Sequence, residues 1–389
     1  MIDLSLDQQK ALTDVLEWFE KDRLKMQFVT LGGYAGTGKT TLIALLRKKL
    51  LAINKDLKIG FASYTGKATR VLKNKLSDAE SSYKQDTIST IHGLIYSPIV
   101  NERQEIIGWQ KKETIDRDLI IIDEASMVDE LIWTHLLSYK VPIIVVGDHG
   151  QLPPIKSNFN LMQKPDLRLE EIHRQAKKNP IIELSIQART SGVILPGKYS
   201  QTVQKYVSGD LDAQDTMTEL LTNYNKDTLI LCGYNKTRKR LNNFIRQSKG
   251  FESPAPCSGD QVICLRNNHK KNIFNGMIGT IINIEKENDE WYSAEIAMDG
   301  EGENYQGLIS VAQFNSDTAL NFTDKRSRIM QGDLFDFGYV LTVHKAQGSQ
   351  AKRVILFEER FRQMDDEAWK RWLYTAVTRA EEELYIFGS

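Results

Sequence analysis

Residues 33–40, GYAGTGKT, combine closely spaced glycines with a lysine and a hydroxyl, and they carry the clearest chemistry in the chain. They fit the pattern G-x-x-x-x-G-K-[ST], in which backbone N–H groups close on phosphates, the lysine meets the β- and γ-phosphate charge, and the hydroxyl holds Mg²⁺. An apolar run at 28–31 precedes them and a helix-forming run at 42–51 follows, which is the context that a phosphate-binding loop needs rather than that of a plain turn. We therefore predict a nucleoside triphosphate site. The residues expected at the nucleotide are Gly33, Ala35, Gly36, Thr37, Gly38, Lys39, Thr40 and Thr41.

Two carboxylates, Asp123 and Glu124, follow directly after the apolar run 119–122. A strand that ends in this way brings the first carboxylate near the Mg²⁺ of the phosphate loop and leaves the second able to orient or deprotonate a water. A solvated strand end would explain the pair taken alone, but the glycine-rich loop upstream argues against that interpretation. Thr40 and Asp123 are thus the predicted metal ligands, and Glu124 is the predicted general base of a hydrolase.

A third polar segment, residues 147–154 (GDHGQLPP), follows the apolar run 143–146. At the carboxyl end of a strand, the amide of Gln151 could report whether a γ-phosphate is present. A turn stiffened by its two prolines is an equally good explanation of this segment by itself.

Short apolar strands alternate with helical stretches along most of the chain, which is typical of parallel α/β units. Strands are expected at 28–31, 59–62, 119–122, 143–146, 228–232, 338–342 and 383–387, and a helix at 236–248. Residues 93–118 alternate in character as a projecting β-hairpin would, and residues 267–331 contain many short β-prone runs with Asn-Gly and Asp-Gly turns. The pattern predicts two α/β regions in tandem, each interrupted by a β insert.

The composition is that of a globular enzyme with more than one core. A chain of 389 residues exceeds the size at which a single core stops growing, and 41% apolar with 26% charged residues is ordinary. The formal net charge of zero gives no global attraction to nucleic acid or membrane, so such binding must use local basic patches. Three cysteines without metal-ligand spacing, no signal-peptide pattern and no long apolar run predict a soluble, cytoplasmic protein without a membrane partner.

The order of these and further motifs resembles that of superfamily 1 helicases, specifically the RecD-like and phage Dda-like group, subgroup 1B, which moves 5′ to 3′ on single-stranded DNA. The resemblance covers nearly the whole chain. The motifs that carry it are Gln8, 33–40, 65–68 (TGKA), 90–92 (TIH), 123–126 (DEAS), 147–154, 173–175 (HRQ), 343–348 (VHKAQG) and 374–380 (YTAVTRA). It implies two RecA-like domains at 1–92 with 119–178 and at 179–266 with 332–389. It also implies a pin-like hairpin at 93–118 and a small SH3-like β-barrel at 267–331.

The same resemblance assigns roles around the nucleotide. Gln8 matches the glutamine that reads adenine, and His173 stands where relatives often place an aromatic ring over the base. Arg174 and Arg379 match the two arginines that reach the γ-phosphate from across the cleft between the domains, and Gly348 lies in a nucleotide-binding motif. The implied catalytic set is Lys39, Asp123, Glu124, Gln151, Arg174 and Arg379, with ATP and Mg²⁺ as cofactors.

The resemblance also implies a nucleic-acid path across both domains, which recognises the backbone without reading sequence. Its predicted contacts are Thr65, Lys67, His92, Tyr96, Trp109, Asn235, Thr342 and His344. In the hairpin, Tyr96 or Trp109 could stack on a base or split a duplex, although plain packing explains either ring equally well. The implied partners are single-stranded DNA and single-strand/duplex junctions, with a single-strand binding protein or replisome component as candidate protein partners of a monomer.

We therefore expect an ATP-dependent DNA helicase that couples hydrolysis to the opening and closing of two domains. A superfamily 1 RNA helicase would share nearly all of the ATP site, because the 2′-OH is read by local contacts. A module that binds single strands and uses ATP only to change affinity is the alternative of another class, and measured turnover of ATP would separate it from a motor.

Overall fold

The structure is a computed structural model that describes residues 4–100, 106–154, 159–172, 179–266, 268, 271, 273–299, 303–316, 320 and 331–388. The chain divides into two compact units. The first unit contains residues 1–192 and 370–378, and the second contains residues 193–369 and 379–389. The division therefore runs through the helix Asp366–Val377, which belongs to the first unit from residue 370 onward.

A six-stranded sheet forms the centre of the first unit, with the strand order β3-β2-β6-β7-β1-β8, and all of its strand pairs are parallel. Its strands are β1 (Phe28–Gly33), β2 (Ile59–Ser63), β3 (Thr87–Thr90), β6 (Leu119–Asp123), β7 (Ile143–Gly147) and β8 (Leu167–Leu169). The helices of this unit are α1 (Leu6–Glu17), α2 (Lys39–Ile53), α3 (Gly66–Asp78), α4 (Ile91–Ile95), α5 (Glu130–Leu137) and α6 (Pro180–Thr190).

The central strands of this sheet are buried along their whole length. Every residue of β2, β6 and β7 is buried, as expected for parallel strands that helices cover on both faces. Two apolar clusters flank the sheet, one including Leu42 and Leu46 of α2 and the other including Ile132 and Leu136 of α5. The continuous apolar runs of the sequence thus form the buried centre of the sheet. The polar residues that follow these runs lie at the ends of its strands.

An antiparallel pair of strands, β4 (Tyr96–Val100) and β5 (Ile106–Lys111), forms a two-stranded sheet of its own in the first unit. Its base is tied down by hydrogen bonds. The Tyr139 hydroxyl lies 2.8 Å from the carbonyl oxygen of Ile95 and 2.9 Å from that of Lys112. The Lys112 ammonium in turn donates to the carbonyls of Gly93 and Leu94, at 2.8 and 3.0 Å. The two strands are therefore mounted on α4 and on the end of α5 by fixed contacts.

The second unit is built on another six-stranded sheet, with the order β17-β11-β18-β19-β10-β9. Its strands are β9 (Gly197–Lys198), β10 (Val203–Val207), β11 (Thr228–Cys232), β17 (Val340–Thr342), β18 (Ala351–Phe357) and β19 (Ala380–Gly388). Its strand pairs are parallel except for the short edge strand β9. The helices are α7 (Leu211–Thr222), α8 (Asn235–Ser248) and the first turn of α9 (Asp366–Val377).

A separate five-stranded antiparallel sheet also belongs to the second unit, in the order β15-β14-β13-β12-β16. Its strands are β12 (Gln261–Cys264), β13 (Ile278–Lys286), β14 (Trp291–Met298), β15 (Tyr305–Ser310) and β16 (Phe335–Phe337). The first and last of these strands lie outside 267–331, the predicted limits of the insert. The strand predicted at 338–342 begins later, at Val340, because Phe335–Phe337 pairs with β12 instead.

The three cysteines are all free thiols, and two of them are buried. Cys264 is fully enclosed, and burial raises the pKa of its thiol to about 12. Burial also raises the pKa of Cys232, whereas Cys257 is half-buried. Among the described residues, no helix combines the length and apolar character needed to cross a lipid bilayer.

Candidate nucleotide-binding site

The predicted phosphate loop connects β1 to α2, as the sequence pattern requires. Gly36 and Gly38 have φ angles of 79° and 75°, a left-handed conformation that costs glycine little, and Gly38 caps the amino end of α2. The loop therefore directs its amides and the positive end of a helix dipole to one place. The Lys39 ammonium lies inside the loop and donates to the carbonyls of Gly33 and Tyr34 at 2.8 and 2.9 Å. Thr40 follows on the first turn of the helix, half-buried, and Thr41 beside it is exposed.

Asp123 ends β6 and Glu124 follows it in a left-handed conformation, with φ 56° and ψ 41°. Such a conformation is uncommon for a residue with a side chain, and it often marks a functional site. The Asp123 carboxylate accepts the Glu124 N–H at 2.9 Å. Burial, and then the charge of Glu124, raise the pKa of Asp123 to about 6. The Oε2 atom of Glu124 is buried and has no hydrogen-bond partner among the described residues.

The Asp148 carboxylate, in the third segment, accepts several hydrogen bonds. It is 1% exposed, and its Oδ1 accepts the Gly150 N–H at 2.9 Å. Its Oδ2 accepts from the Tyr374 hydroxyl at 2.7 Å and from Gln151 Nε2 at 3.4 Å. The same oxygen lies 3.8 Å from Lys39 Nζ. Gln151 is buried, and its Oε1 has no hydrogen-bond partner among the described residues, so its amide has an acceptor to spare.

Tyr374 was not identified from the sequence as a site residue, and neither was Asp148. The Tyr374 hydroxyl accepts the N–H of Ala35 at 2.7 Å while it donates to Asp148. Arg371, from the same helix, donates to the carbonyls of His149 and Gln151 at 2.9 and 3.2 Å. The motif 374–380 includes this tyrosine, but only its arginine was given a role. In the sequence, Asp148 could have been noticed as a carboxylate just after the apolar run 143–146.

Gln8 lies beside the phosphate loop, and its amide bonds to protein groups. Its Nε2 donates to the carbonyl of Thr37 at 2.8 Å, and its Oε1 accepts the N–H of Ser5 at 3.0 Å. Asp7, next to it, accepts the N–H groups of Glu170 and Glu171 at 2.7 and 2.8 Å. The start of α1 therefore holds the loop and the segment after β8 together.

The remaining predicted nucleotide residues lie elsewhere. His173 and Arg174 fall outside the described residues. Arg379 belongs to the second unit, where it is 2% exposed and donates to the carbonyl of Ser349 at 3.2 Å. Gly348 precedes Ser349 with a φ of 72°.

In the first unit, the predicted nucleic-acid residues follow two neighbouring parallel strands, so they share one edge of the sheet. After β2, Thr65 caps α3 by accepting the N–H of Ala68 at 3.2 Å, and Lys67 on that helix is exposed. After β3, the His92 ring lies 5.4 Å from the ring of Tyr96. Burial lowers the pKa of His92.

Tyr96 on β4 and Trp109 on β5 have different surroundings. The Tyr96 hydroxyl lies 2.6 Å from Nδ1 of His135 on α5, which fixes the ring at the base of the strands. Trp109 is 38% exposed and stands opposite Pro98 on the neighbouring strand. Of the two rings, Trp109 is therefore the more exposed.

In the second unit, Asn235 and Thr342 follow a matching arrangement. β11 and β17 are parallel, with Cys232 paired to Thr342, so both strands end at one edge. Asn235 opens α8 and accepts from Arg238 Nε at 3.2 Å. His344 is half-buried, and burial lowers its pKa.

Two models of known protein families match the chain, one in its N-terminal part and one near its C-terminus. The family model described as an AAA domain matches residues 20–157, and the model described as a UvrD-like helicase C-terminal domain matches residues 337–387. The ATP-dependent RecD2 DNA helicase of Deinococcus radiodurans is 28% identical over 93% of this chain and 47% of its own length. The ATP-dependent DNA helicase dda of Enterobacteria phage T4 is 25% identical over 98% of this chain and 99% of its own.

The RecBCD enzyme subunit RecD of Buchnera aphidicola (Schizaphis graminum) is 25% identical over 99% of this chain and 76% of its own. The chain thus spans about half the length of RecD2, three quarters of this RecD and nearly all of dda. Among solved structures, a Bacteroides Pif1 helicase in complex with ADP-AlF3 and ssDNA has a TM-score of 0.54 at 16% identity. The likeness covers 99% of this chain and 92% of that one, and it shows a shared fold. The chain is thus similar in sequence to the ATP-dependent DNA helicases RecD2 and dda and to a RecD subunit, and similar in fold to a Pif1 helicase.

Proposed function

We propose that this protein hydrolyses ATP to move 5′ to 3′ along single-stranded DNA and to unwind duplexes ahead of it. One observation carries the ATPase part of the proposal. The phosphate loop, the Asp123 and Glu124 pair and the segment with Asp148 and Gln151 follow three neighbouring parallel strands, β1, β6 and β7. Ligands of such sheets bind at the carboxyl ends of the strands, and all three groups stand there.

The side chains at this edge fit Mg²⁺ together with ATP. The Thr40 hydroxyl and the Asp123 carboxylate are hard oxygen ligands of the kind Mg²⁺ takes, and one or two protein oxygens suffice because phosphates and water supply the rest. When bound, the ion would neutralise phosphate charge. Lys39 would pair with the phosphates, and the buried Oε2 of Glu124, which has a free acceptor site, would take the proton of the attacking water. Gln151 would orient that water or the γ-phosphate.

Two arginines that the motif order predicts would complete the cycle. We propose that Arg174 and Arg379 meet the γ-phosphate, where an arginine stabilises charge on the transferring group. The proposed RecA-like domains are 1–92 with 119–178 and 179–266 with 332–389, whereas the two compact units divide between residues 192 and 193 and place 370–378 in the first unit. ATP would favour a closed arrangement of the two domains, and hydrolysis would release it.

Single-stranded DNA is proposed to contact the strand ends that carry Thr65, Lys67 and His92 in one unit and Asn235, Thr342 and His344 in the other. The strands β4 and β5 would act as the pin that separates duplex strands, with Trp109 at the junction. The five-stranded sheet would be the SH3-like barrel that closes over the strand. The Pif1 complex with ssDNA supports a nucleic-acid role by fold alone.

The experiment that tests the proposal compares two matched duplexes, one with a 5′ and one with a 3′ single-stranded tail, in the presence of ATP and Mg²⁺. Opening of only the 5′-tailed duplex is expected. Opening of only the 3′-tailed duplex would overturn the direction and leave the ATP site intact. Stimulation of turnover by poly(dT) rather than poly(U) is expected as well, and the reverse preference would make the protein an RNA helicase.

A further inference from the structure

The hydroxyl of Tyr374 connects three parts of the first unit that are far apart in the sequence. It accepts the N–H of Ala35 at 2.7 Å and donates to Asp148 Oδ2 at 2.7 Å. The side chain has no exposed surface, so water does not compete for these bonds. A buried polar group with both partners in place is held firmly, and losing one of them is costly.

The ring of Tyr374 is placed by close packing. It meets the ring of Tyr34 edge to face, with centroids 6.0 Å apart. A Cβ atom added to Gly150 would lie 3.0 Å from ring carbons of both tyrosines, so a glycine is what lets the two rings approach this segment. The Arg189 guanidinium lies 3.8 Å from the centroid of the Tyr34 ring. The hydroxyl is thus directed at the phosphate loop by its surroundings.

Two more side chains of α9 form hydrogen bonds with the segment after β7. Arg371 donates to the carbonyls of His149 and Gln151, and the Thr375 hydroxyl accepts the N–H of Leu152 at 3.0 Å. Together with the bond from Tyr374 to Asp148, these contacts make α9 the support of residues 148–152. A shift of α9 would therefore move Asp148 and Gln151.

The two groups that Tyr374 holds both face the proposed chemistry. Ala35 lies in the loop whose other amides cradle phosphates, and the bond from its N–H to Tyr374 fixes the course of the loop backbone at this point. Asp148 Oδ2 lies 3.8 Å from the Lys39 ammonium, so the orientation of this carboxylate influences where the lysine rests. Without the hydroxyl, Asp148 would lose its shortest hydrogen bond and Ala35 its partner.

We propose that Tyr374 is a positioning residue of the ATP site, whose hydroxyl fixes the Ala35 amide and the Asp148 carboxylate in the arrangement that hydrolysis requires. The inference rests on the proposed ATPase function and deepens it. The Thr378 N–H bonds back to the carbonyl of Tyr374 at 3.0 Å, and Arg379 is the next residue. The end of α9 is thus bonded back to Tyr374.

The first test is the variant Tyr374→Phe, which removes the hydroxyl and keeps the ring. Because a small misplacement of catalytic groups can cost up to about a hundredfold in rate, kcat for ATP with saturating single-stranded DNA is expected to fall roughly tenfold to a hundredfold. KM for ATP should change by less than about threefold, since the loop, Lys39 and Mg²⁺ ligands remain. Unchanged kcat would overturn the inference.

The matched control is Tyr224→Phe. Tyr224 is also buried, and its hydroxyl donates to Gln261 Oε1 at 2.7 Å, but it belongs to the second unit and faces no proposed site residue. Tyr374→Phe loses two buried hydrogen bonds and Tyr224→Phe loses one, so both melting temperatures should fall, that of Tyr374→Phe further. Only Tyr374→Phe should lose kcat. Equal losses of kcat in the two variants would mean that the effect is structural and would contradict the inference.

A double-mutant cycle with Asp148→Asn tests whether the hydroxyl acts through this carboxylate. Asp148→Asn alone is expected to lower kcat by a comparable factor, and adding it to Tyr374→Phe should cost little more. Fully additive losses would overturn the link, and Asp148→Asn gives an independent answer should Tyr374→Phe fold poorly. Failure of the wild-type protein to hydrolyse ATP would instead refute the proposed function itself, which the same assay distinguishes.

Discussion

Replacing Glu124 by glutamine isolates the proposed general base, because the two side chains have the same shape and only the carboxylate can take a proton. The change adds no bulk at a position where Oε2 is already buried. General-base catalysis contributes a factor of about 10² to 10⁴, so kcat should fall by that factor. At 1.36 kcal/mol for each tenfold, this corresponds to a barrier raised by roughly 2.7 to 5.4 kcal/mol.

A second glutamate with the same left-handed backbone conformation provides a control for the Glu124 variant. Glu80, in the same unit, is also a glutamate with a left-handed backbone, φ 51°, but it is exposed. The left-handed conformation costs each of these residues roughly 1–2 kcal/mol, and glutamine keeps that cost unchanged. Glu80→Gln should therefore leave both kcat and the free energy of unfolding as they are. Glu124→Gln should likewise not lower the free energy of unfolding, since it removes a buried charge beside Asp123.

Phosphate release with saturating ATP and single-stranded DNA gives kcat, and titration with a fluorescent ATP analogue gives nucleotide affinity. The expected result for Glu124→Gln is slow hydrolysis with affinity close to that of the wild type. Hydrolysis at the wild-type rate would refute the general-base assignment. Slow hydrolysis together with lost binding would show that the substitution had damaged the phosphate site instead.

Three further substitutions test other parts of the molecule. Lys39→Ala should abolish turnover, because the loop then has no ammonium to meet the phosphates, and turnover above one tenth of the wild-type rate in the phosphate assay would contradict the site. Trp109→Ala should slow opening of the 5′-tailed duplex while leaving ATP turnover stimulated by single-stranded DNA unchanged; equal losses in the two assays would exclude a strand-separating role. Arg47→Met should lower the free energy of unfolding, measured in urea, by about 3–5 kcal/mol, because Asp86 would remain buried without its bidentate partner. A loss under about 1 kcal/mol would show that Asp86 is readily neutralised or hydrated.

The sequence predicted the platform of the site well, for a simple physical reason. Parallel strands covered on both faces must be apolar throughout, so the runs that became β1, β6 and β7 were visible as runs and were confirmed. β18 was missed although it lies in the middle of the second sheet. Its first three residues are only partly buried or exposed, so charged residues shorten the apolar run that would reveal it.

The contacts between distant segments could not be predicted in the same way. The bond from Tyr374 to Asp148 joins positions 226 residues apart, and no periodicity within either segment encodes it. The motif order identified the helix that carries Tyr374 but assigned its function to the arginine at its end. Gln8 shows the opposite case, in which a motif gave a role in reading adenine and the structure adds bonds from the same amide to Thr37 and Ser5. Its role at the base stays a prediction.

The burial of two of the cysteine thiols makes the protein suitable for site-specific fluorescent labelling. A thiol reacts with maleimide dyes as the exposed thiolate, and Cys232 and Cys264 are neither exposed nor easily ionised. Background labelling should therefore be confined to Cys257, and a Cys257→Ser variant should give a nearly silent protein. New cysteines at exposed positions, such as Glu80→Cys in one unit and Arg240→Cys in the other, could then carry a donor and an acceptor dye. Energy transfer between them would report, molecule by molecule, whether the distance between the units changes with each ATP consumed.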